Sequence, residues 1–312
     1  MKGTTAPRHF LSSHDLSPAE QAALVDRAAE LKRTRRRHPR PLDGRSVAMI
    51  FEKPSTRTRI SFELAVVELG AHPVVLRGDE LQLGRGETLE DTARVLSRYV
   101  HAVVIRTFGQ ERLTALAAAA TVPVINALSD HEHPCQALAD VQTIAERFPD
   151  PRDVVLAYLG DGNNVAHSLL LAGANAGYAE VRVSSPAGYE PDPSVVAGAE
   201  AIGAATGTAV RLLADPVEAS KGATVLYTDV WASMGQEAER ASRLAALAGH
   251  ALTGALLEAA APEAVAMHCL PAHRGEEIAA DVIDGPRSVV WDQAENRLHA
   301  QKALLELVAG QG

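Results

Sequence analysis

Short apolar runs alternate with amphipathic stretches along nearly the whole chain, and this alternation restricts the fold more than any single motif does. Val47–Phe51, Val74–Leu76, Ala102–Arg106 and Val122–Asn126 read as buried strands. Helical spacing follows each of them, over Ile60–Leu69, Leu89–Tyr99, Leu113–Ala120 and Gln136–Arg147. A helix also precedes the series: Ser17 caps it, Pro18 takes the first turn, Glu20 stands at the capping-box position, and Leu24, Ala28 and Leu31 recur behind them. Phe148-Pro149-Asp150-Pro151 marks a boundary. The pattern then restarts with strands expected at Val154–Leu159, Glu180–Ser184, Val225–Tyr227, Ala264–His268 and Val289–Trp291. Helices are expected over Val165–Ala176 and Asn296–Val308. Such alternation predicts an α/β chain of two doubly wound domains, each a mostly parallel sheet flanked by helices. The expected domains are residues 1–148 and 149–294, with a C-terminal helix within 295–312 returning to the first.

Composition narrows the function. A chain of 312 residues is long for one small core, and a net charge of -9 argues against a general nucleic-acid or membrane binder. The basic stretch Lys32-Arg33-Thr34-Arg35-Arg36-Arg37 reads as a solvated helix end. An anion would need a local cluster of arginines and backbone N–H groups. The 2 cysteines, Cys135 and Cys269, do not make a disulfide framework. The N-terminus lacks the apolar core of a signal peptide, and Leu244–Met267 is interrupted by His250, Glu258, Pro262 and Glu263. A cytoplasmic protein is expected.

The anion cluster follows the first strand. Lys53-Pro54-Ser55-Thr56-Arg57-Thr58-Arg59 places Ser55 and Thr56 at a helix N-terminus, where unpaired N–H groups and the positive dipole end attract phosphate. Hydroxyls add donors and arginine adds a planar charged fork. The Walker pattern is absent. Read alone, the segment is equally a serine cap beside two solvated arginines. Ser55-Thr56-Arg57-Thr58-Arg59 resembles the carbamoyl-phosphate motif of the aspartate and ornithine carbamoyltransferases, and His133-Pro134-Cys135-Gln136 resembles that family's H-P-x-Q. The resemblance implies that Ser55, Thr56, Arg57 and Thr58 hold the phosphate. It implies that Arg106 and His133 bind the phosphate and the carbonyl oxygen, and Gln136 the carbamoyl NH2. For Arg59, a buried ion pair is at least as good a reading as substrate contact. In the loop Gly78–Glu87, Gln82 matches the residue that a neighbouring subunit lends to the site in the ornithine branch.

The second domain carries the acceptor signals. Gly160-Asp161-Gly162-Asn163-Asn164-Val165 begins like a dinucleotide fingerprint, but Val165 stands where the third glycine is needed. The stretch resembles instead the family's G-D-x-x-N segment, which assigns Asn164 to the α-amino-acid group. Asp229-Val230-Trp231-Ala232-Ser233-Met234-Gly235 resembles the D-x-W-x-S-M-G signature of the ornithine branch, with Asp229, Ser233 and Met234 as further ornithine contacts. His268-Cys269-Leu270-Pro271 lacks the usual zinc spacing and resembles the family's H-C-L-P. That match implies Cys269 beside the side-chain amine, the Leu270 carbonyl on the carbamoyl NH2, and a cis Leu270–Pro271 bond. Arg297 matches an arginine that reaches the carbonyl oxygen.

The resemblance runs from about residue 8 to the end. It implies transfer of the carbamoyl group of carbamoyl phosphate to L-ornithine in arginine metabolism, in the cleft between the domains. It implies no metal or organic cofactor, and a homotrimer or a multiple of trimers. The rival readings are a sister enzyme acting on putrescine, aspartate or N-acetylornithine, a nicotinamide dehydrogenase, and a catalytically silent relative.

Overall fold

The computed structural model describes residues 6–35, 37, 39–78, 86–232 and 237–310. Its first elements are α1 (Pro18–Arg33), β1 (Ser46–Phe51), α2 (Thr56–Glu68), β2 (His72–Arg77), α3 (Leu89–Tyr99), β3 (Ala102–Arg106), α4 (Gln110–Ala119), β4 (Val124–Leu128) and α5 (Pro134–Ala145). There follow β5 (Val155–Leu159), α6 (Asn164–Ala176), β6 (Glu180–Ser184), α7 (Pro193–Thr206), β7 (Ala209–Leu213), α8 (Pro216–Ser220) and β8 (Val225–Thr228). The chain ends with α9 (Arg240–Leu247), α10 (Gly254–Ala259), β9 (Val265–His268), α11 (Ala280–Ile283) and α12 (Val290–Ala309).

Contacts between Cα atoms divide the chain into two units, one of residues 1–15, 23–135 and 297–312, the other of residues 16–22 and 136–296. α1, α5 and α12 therefore each give residues to both. The first unit holds a four-stranded sheet in the order β2-β1-β3-β4, and the second a five-stranded sheet in the order β7-β6-β5-β8-β9. Every ladder is parallel. A parallel sheet covered on both faces needs strands that are apolar on both sides. β1 meets this, with Val47 through Phe51 all buried, and so does β5 from Leu156 to Leu159. Strand order reverses between β1 and β3 in one sheet and between β5 and β8 in the other, the places where open α/β sheets leave a crevice for ligands.

Several boundaries differ from the sequence reading. The strand expected at Val289–Trp291 is the start of α12: only Ser288 bridges to Ala266, and Val290 already opens the helix. Val290 is buried in the first turn of the helix and Val289 just before it, while Trp291 is 61% exposed, so β-branched composition misled there. The strand expected at Val122–Asn126 lies two residues later, at Val124–Leu128, because Pro123 has no N–H for the ladder. The Val74–Leu76 strand extends to His72–Arg77 and includes Pro73, which is tolerated because β2 is an edge strand. β7 was not anticipated. It is the other sheet's edge, and its arginine and exposed residues hide the apolar pattern.

Candidate active site

In the first unit, β1 ends at Phe51 and the chain turns into α2. Ser55 is the N-cap: its backbone is extended and its Oγ accepts the Thr58 N–H at 3.3 Å. The first turn of α2 carries no acid, so the positive end of the helix dipole is not offset locally. Thr56 is exposed and Arg57 half-buried; among the described residues the Arg57 Nε has no hydrogen-bond partner. Arg297, buried in α12, donates from Nη2 to the Thr58 Oγ1 at 2.7 Å and so reaches the first turn of α2. Arg106 ends β3, half-buried.

His133 immediately precedes α5 and is 5% exposed. Burial, then the charges of Arg297 and Arg106, push its pKa well below the ordinary 6.5. The imidazole is therefore neutral and offers one N–H donor rather than a positive charge. Burial pushes the neighbouring Cys135 thiol up to about 12, and its S–H donates to the Asn126 carbonyl at 3.2 Å, so it is a core residue rather than a nucleophile. Arg59 is not in a buried ion pair. It points outward from α2, half-exposed, 3.5 Å from Glu63 one turn on. A cavity of about 850 Å³ opens beside Ser55, Thr56 and Arg59, with Phe51, Ile60 and Phe108 among its apolar walls.

In the second unit, three strand ends converge on one carboxylate. Asp229, just past β8 and 5% exposed, accepts the Cys269 S–H at 2.8 Å on Oδ1 and the Asn163 Nδ2 at 2.9 Å on Oδ2. Cys269 follows β9, and Asn163 lies in the turn after β5. Asn163 also caps α6, its Oδ1 accepting the N–H groups of Val165 and Ala166 at 2.9 and 3.2 Å. Asn164, half-buried, is the first helical residue. The glycines before it serve close packing: a Cβ on Gly162 would stand 2.3 Å from the Pro191 nitrogen, and Gly160 has φ +133. Burial pushes the Asp161 carboxyl up to about 6, even though Arg243 pairs with it. Arg243 also donates to the Trp231 carbonyl at 2.5 Å, which fixes the stem of the segment after β8.

Asp229, His268 and Cys269 lie close enough for a metal site, within 4.8 Å of one another. Their atoms are committed otherwise. The His268 Nδ1 accepts the Leu270 N–H at 2.9 Å, which leaves Nε2 as the donor to Glu277 at 3.2 Å, while the Cys269 S–H is given to Asp229. The Leu270–Pro271 peptide is cis and Leu270 has φ +59. Gln136, 1% exposed in α5, donates from Nε2 to Asp140 at 2.8 Å; its Oε1 is buried and has no partner among the described residues.

A serine-capped helix start with no acid in its first turn, a neutral histidine near the buried Arg297 and the half-buried Arg106, and an acid held at three strand ends are thus in place. Residues 8–146 match the model of the aspartate/ornithine carbamoyltransferase carbamoyl-P binding domain, and residues 152–308 match that of the Asp/Orn binding domain. The chain belongs to the aspartate/ornithine carbamoyltransferase family. Among the family's members, an ornithine carbamoyltransferase from Parafrankia sp. (strain EAN1pec) is 65% identical, covering 96% of each chain. One from Acidothermus cellulolyticus is 62% identical, again over 96% of each. The solved ornithine carbamoyltransferase from Pyrococcus furiosus superposes with a TM-score of 0.95 at 52% identity, covering 98% of each chain.

Of the residues that the family motifs single out, Gln82, Ser233 and Met234 lie outside the described residues. Ser55, Thr56, Arg57, Thr58, Arg106, His133 and Arg297 fall in the first unit, and Gln136, Asn164, Asp229, Cys269 and Leu270 in the second. Sequence reasoning overlooked Asn163 and Asp140. An asparagine just before a helix, and a Gln–Asp pair four residues apart on one, were the available signals.

Proposed function

We propose that this carbamoyltransferase moves the carbamoyl group of carbamoyl phosphate to the δ-amine of L-ornithine, yielding L-citrulline and phosphate. The observation that carries the choice of acceptor is the buried Asp229 carboxylate, oriented by Cys269 and Asn163. A fixed acid suits a substrate with an α-ammonium. In this reading residues 1–148, with the C-terminal helix, bind carbamoyl phosphate and residues 149–294 bind ornithine. Ser55, Thr56, Arg57 and Thr58 hold the phosphate at the α2 N-terminus. Arg106, His133 and Arg297 donate to the carbonyl oxygen, where negative charge builds as the amine attacks. Gln136 and the Leu270 carbonyl accept from the carbamoyl NH2. Asn164, Asp229, Ser233 and Met234 hold the α-amino-acid group, and Cys269 lies beside the δ-amine.

The δ-amine must be neutral to attack, and a free alkylamine has a pKa near 10. The cations of the phosphate site disfavour a second ammonium. The amine nitrogen forms the new C–N bond as the C–O bond to phosphate breaks, and a phosphate oxygen takes the proton released. No helix among the described residues is long and apolar enough to cross a membrane, and we place the enzyme in the cytoplasm. A homotrimer, or a multiple of trimers, agrees with Ile60, Leu64 and Val67, an exposed apolar stripe at helical spacing on α2, and with Tyr99 at 74% exposure on α3. Gln82 of one subunit then serves its neighbour.

The test is product formation from carbamoyl phosphate with L-ornithine, L-aspartate, putrescine and N-acetyl-L-ornithine offered separately. Citrulline from ornithine alone is expected. Turnover of another amine would overturn the acceptor assignment, and no turnover with any would overturn the activity.

A further inference from the structure

Gln136 is one amide with two faces, and only one orientation suits a carbamoyl substrate. The fold settles which face is presented, through a buried chain of hydrogen bonds. It starts at the end of β9, where the His268 backbone N–H donates to the Gln293 Oε1 at 3.0 Å. A backbone N–H has no alternative role, so Gln293 must turn its NH2 the other way. That NH2 donates to the Asp140 Oδ1 at 2.8 Å and to the Tyr227 hydroxyl at 3.0 Å. The Tyr227 hydroxyl donates to the Asp140 Oδ2 at 3.0 Å. Burial first, and then the negative charge of Asp140, hold the Tyr227 phenol protonated, as a donor must be. Asp140 is fully buried and both its oxygens act as acceptors, Oδ1 for the Gln293 NH2 and Oδ2 for the Tyr227 hydroxyl. The Gln136 amide therefore gives Asp140 its NH2, at 2.8 Å, and its Oε1 is left buried and unpartnered among the described residues. A buried acceptor without a donor is costly unless a ligand supplies one.

We propose that Asp140 is a positioning residue that locks Gln136 with its carbonyl oxygen toward the carbamoyl NH2, so that the site selects a carbamoyl over an acyl group. Asp140 touches no substrate; it acts through Gln136. The proposal rests on the carbamoyl phosphate reading above, and it adds the origin of selectivity at the NH2. An amide free to flip would present its own NH2 to the substrate NH2 for part of the time, donor against donor. An asparagine at 140 permits that, because it can turn either an oxygen or an NH2 toward Gln136.

Two stable probes isolate the effect: phosphonoacetamide, which carries the NH2, and 2-oxopropylphosphonate, in which a methyl replaces it. Both are titrated by calorimetry against the wild-type protein and Asp140→Asn. The wild type should prefer phosphonoacetamide by about tenfold or more, the worth of one buried hydrogen bond. Asp140→Asn should lose most of that preference while binding 2-oxopropylphosphonate within about twofold of wild type. On a Gln136→Leu background Asp140→Asn should leave the preference unchanged, since the two residues act as one unit. Equal weakening of both probes, or a preserved preference, would overturn the proposal and make Asp140 a structural residue only. Should the asparagine variant not fold, Asp140→Ser, whose hydroxyl both donates and accepts, must show the same selective loss. A wild-type protein that binds neither probe would sink the carbamoyl phosphate reading itself, whereas one that binds both without preference sinks only this proposal.

Discussion

At the scale of single residues, the neutral state of His133 makes a direct prediction. Its folded pKa is depressed by burial and by Arg297 and Arg106, so the kcat/KM profile for carbamoyl phosphate should show no imidazole break near 6.5. A break there that disappears in His133→Gln would refute it. The same depression acts on stability. The unfolded chain takes up the proton at higher pH than the folded one, so this contribution is full above 6.5 and is lost as pH falls below it. Asn163 makes a second prediction, because it has two separable jobs. Asn163→Ser keeps an oxygen to cap α6 but loses the amide NH2 that reaches Asp229. It should raise the KM for ornithine by about tenfold and leave that for carbamoyl phosphate unchanged. Asn163→Ala should show the same kinetic change and also unfold more easily, by about 1 kcal/mol. Equal effects of the two variants on both KM values would disprove the division. The placement of Ser55, Arg57 and His133 was legible in the sequence because their setting is local: a strand end, a turn and a helix start within a few residues. Asn163 and Asp140 were not. Asn163 meets a partner 66 residues away, and the Gln293 amide that fixes Asp140 lies 153 residues away.

At the scale of elements, periodicity located most helices and central strands, since burial on both faces leaves a strong apolar signature. It failed where an edge strand is half-exposed, as in β7, and where apolar β-branched residues open a helix, as at Val289–Val290. α12 shows why such a helix tolerates polar content. Its Lys302 is fully buried and donates to Glu68 of α2 at 2.8 Å, with Arg35 on the other carboxylate oxygen at 3.0 Å. Burial pulls the Lys302 pKa down, so the pair is held against a desolvation penalty. Lys302→Ala leaves a cavity and removes the main partner of Glu68, and should destabilise the protein by about 3 kcal/mol in urea unfolding. A change below about 1 kcal/mol would mean that solvent reaches the site.

At the scale of the whole molecule, the α/β class and its two-sheet organisation follow from the alternation of elements alone. The family motifs then gave the chemistry that alternation cannot, because one fold carries many reactions. If the α2 stripe is a contact between subunits, Leu64→Asp should shift the sedimenting species to a monomer and abolish turnover, since Gln82 would then serve no neighbour. A fully active monomer would remove both claims.

The discontinuity of the first unit bears on synthesis. Residues 136–296 leave the ribosome as one uninterrupted stretch, while the unit begun by residues 1–15 and 23–135 still lacks residues 297–312. Translation adds about 5–20 residues each second. The earlier-made half therefore waits about 10 to 30 seconds, incomplete, for residues 297–312. A stop codon placed just after residue 296 should harm the half encoded first more than the half it directly follows. Limited proteolysis of the truncated chain would show it: cuts should concentrate before residue 135, and uniform cutting would count against the idea.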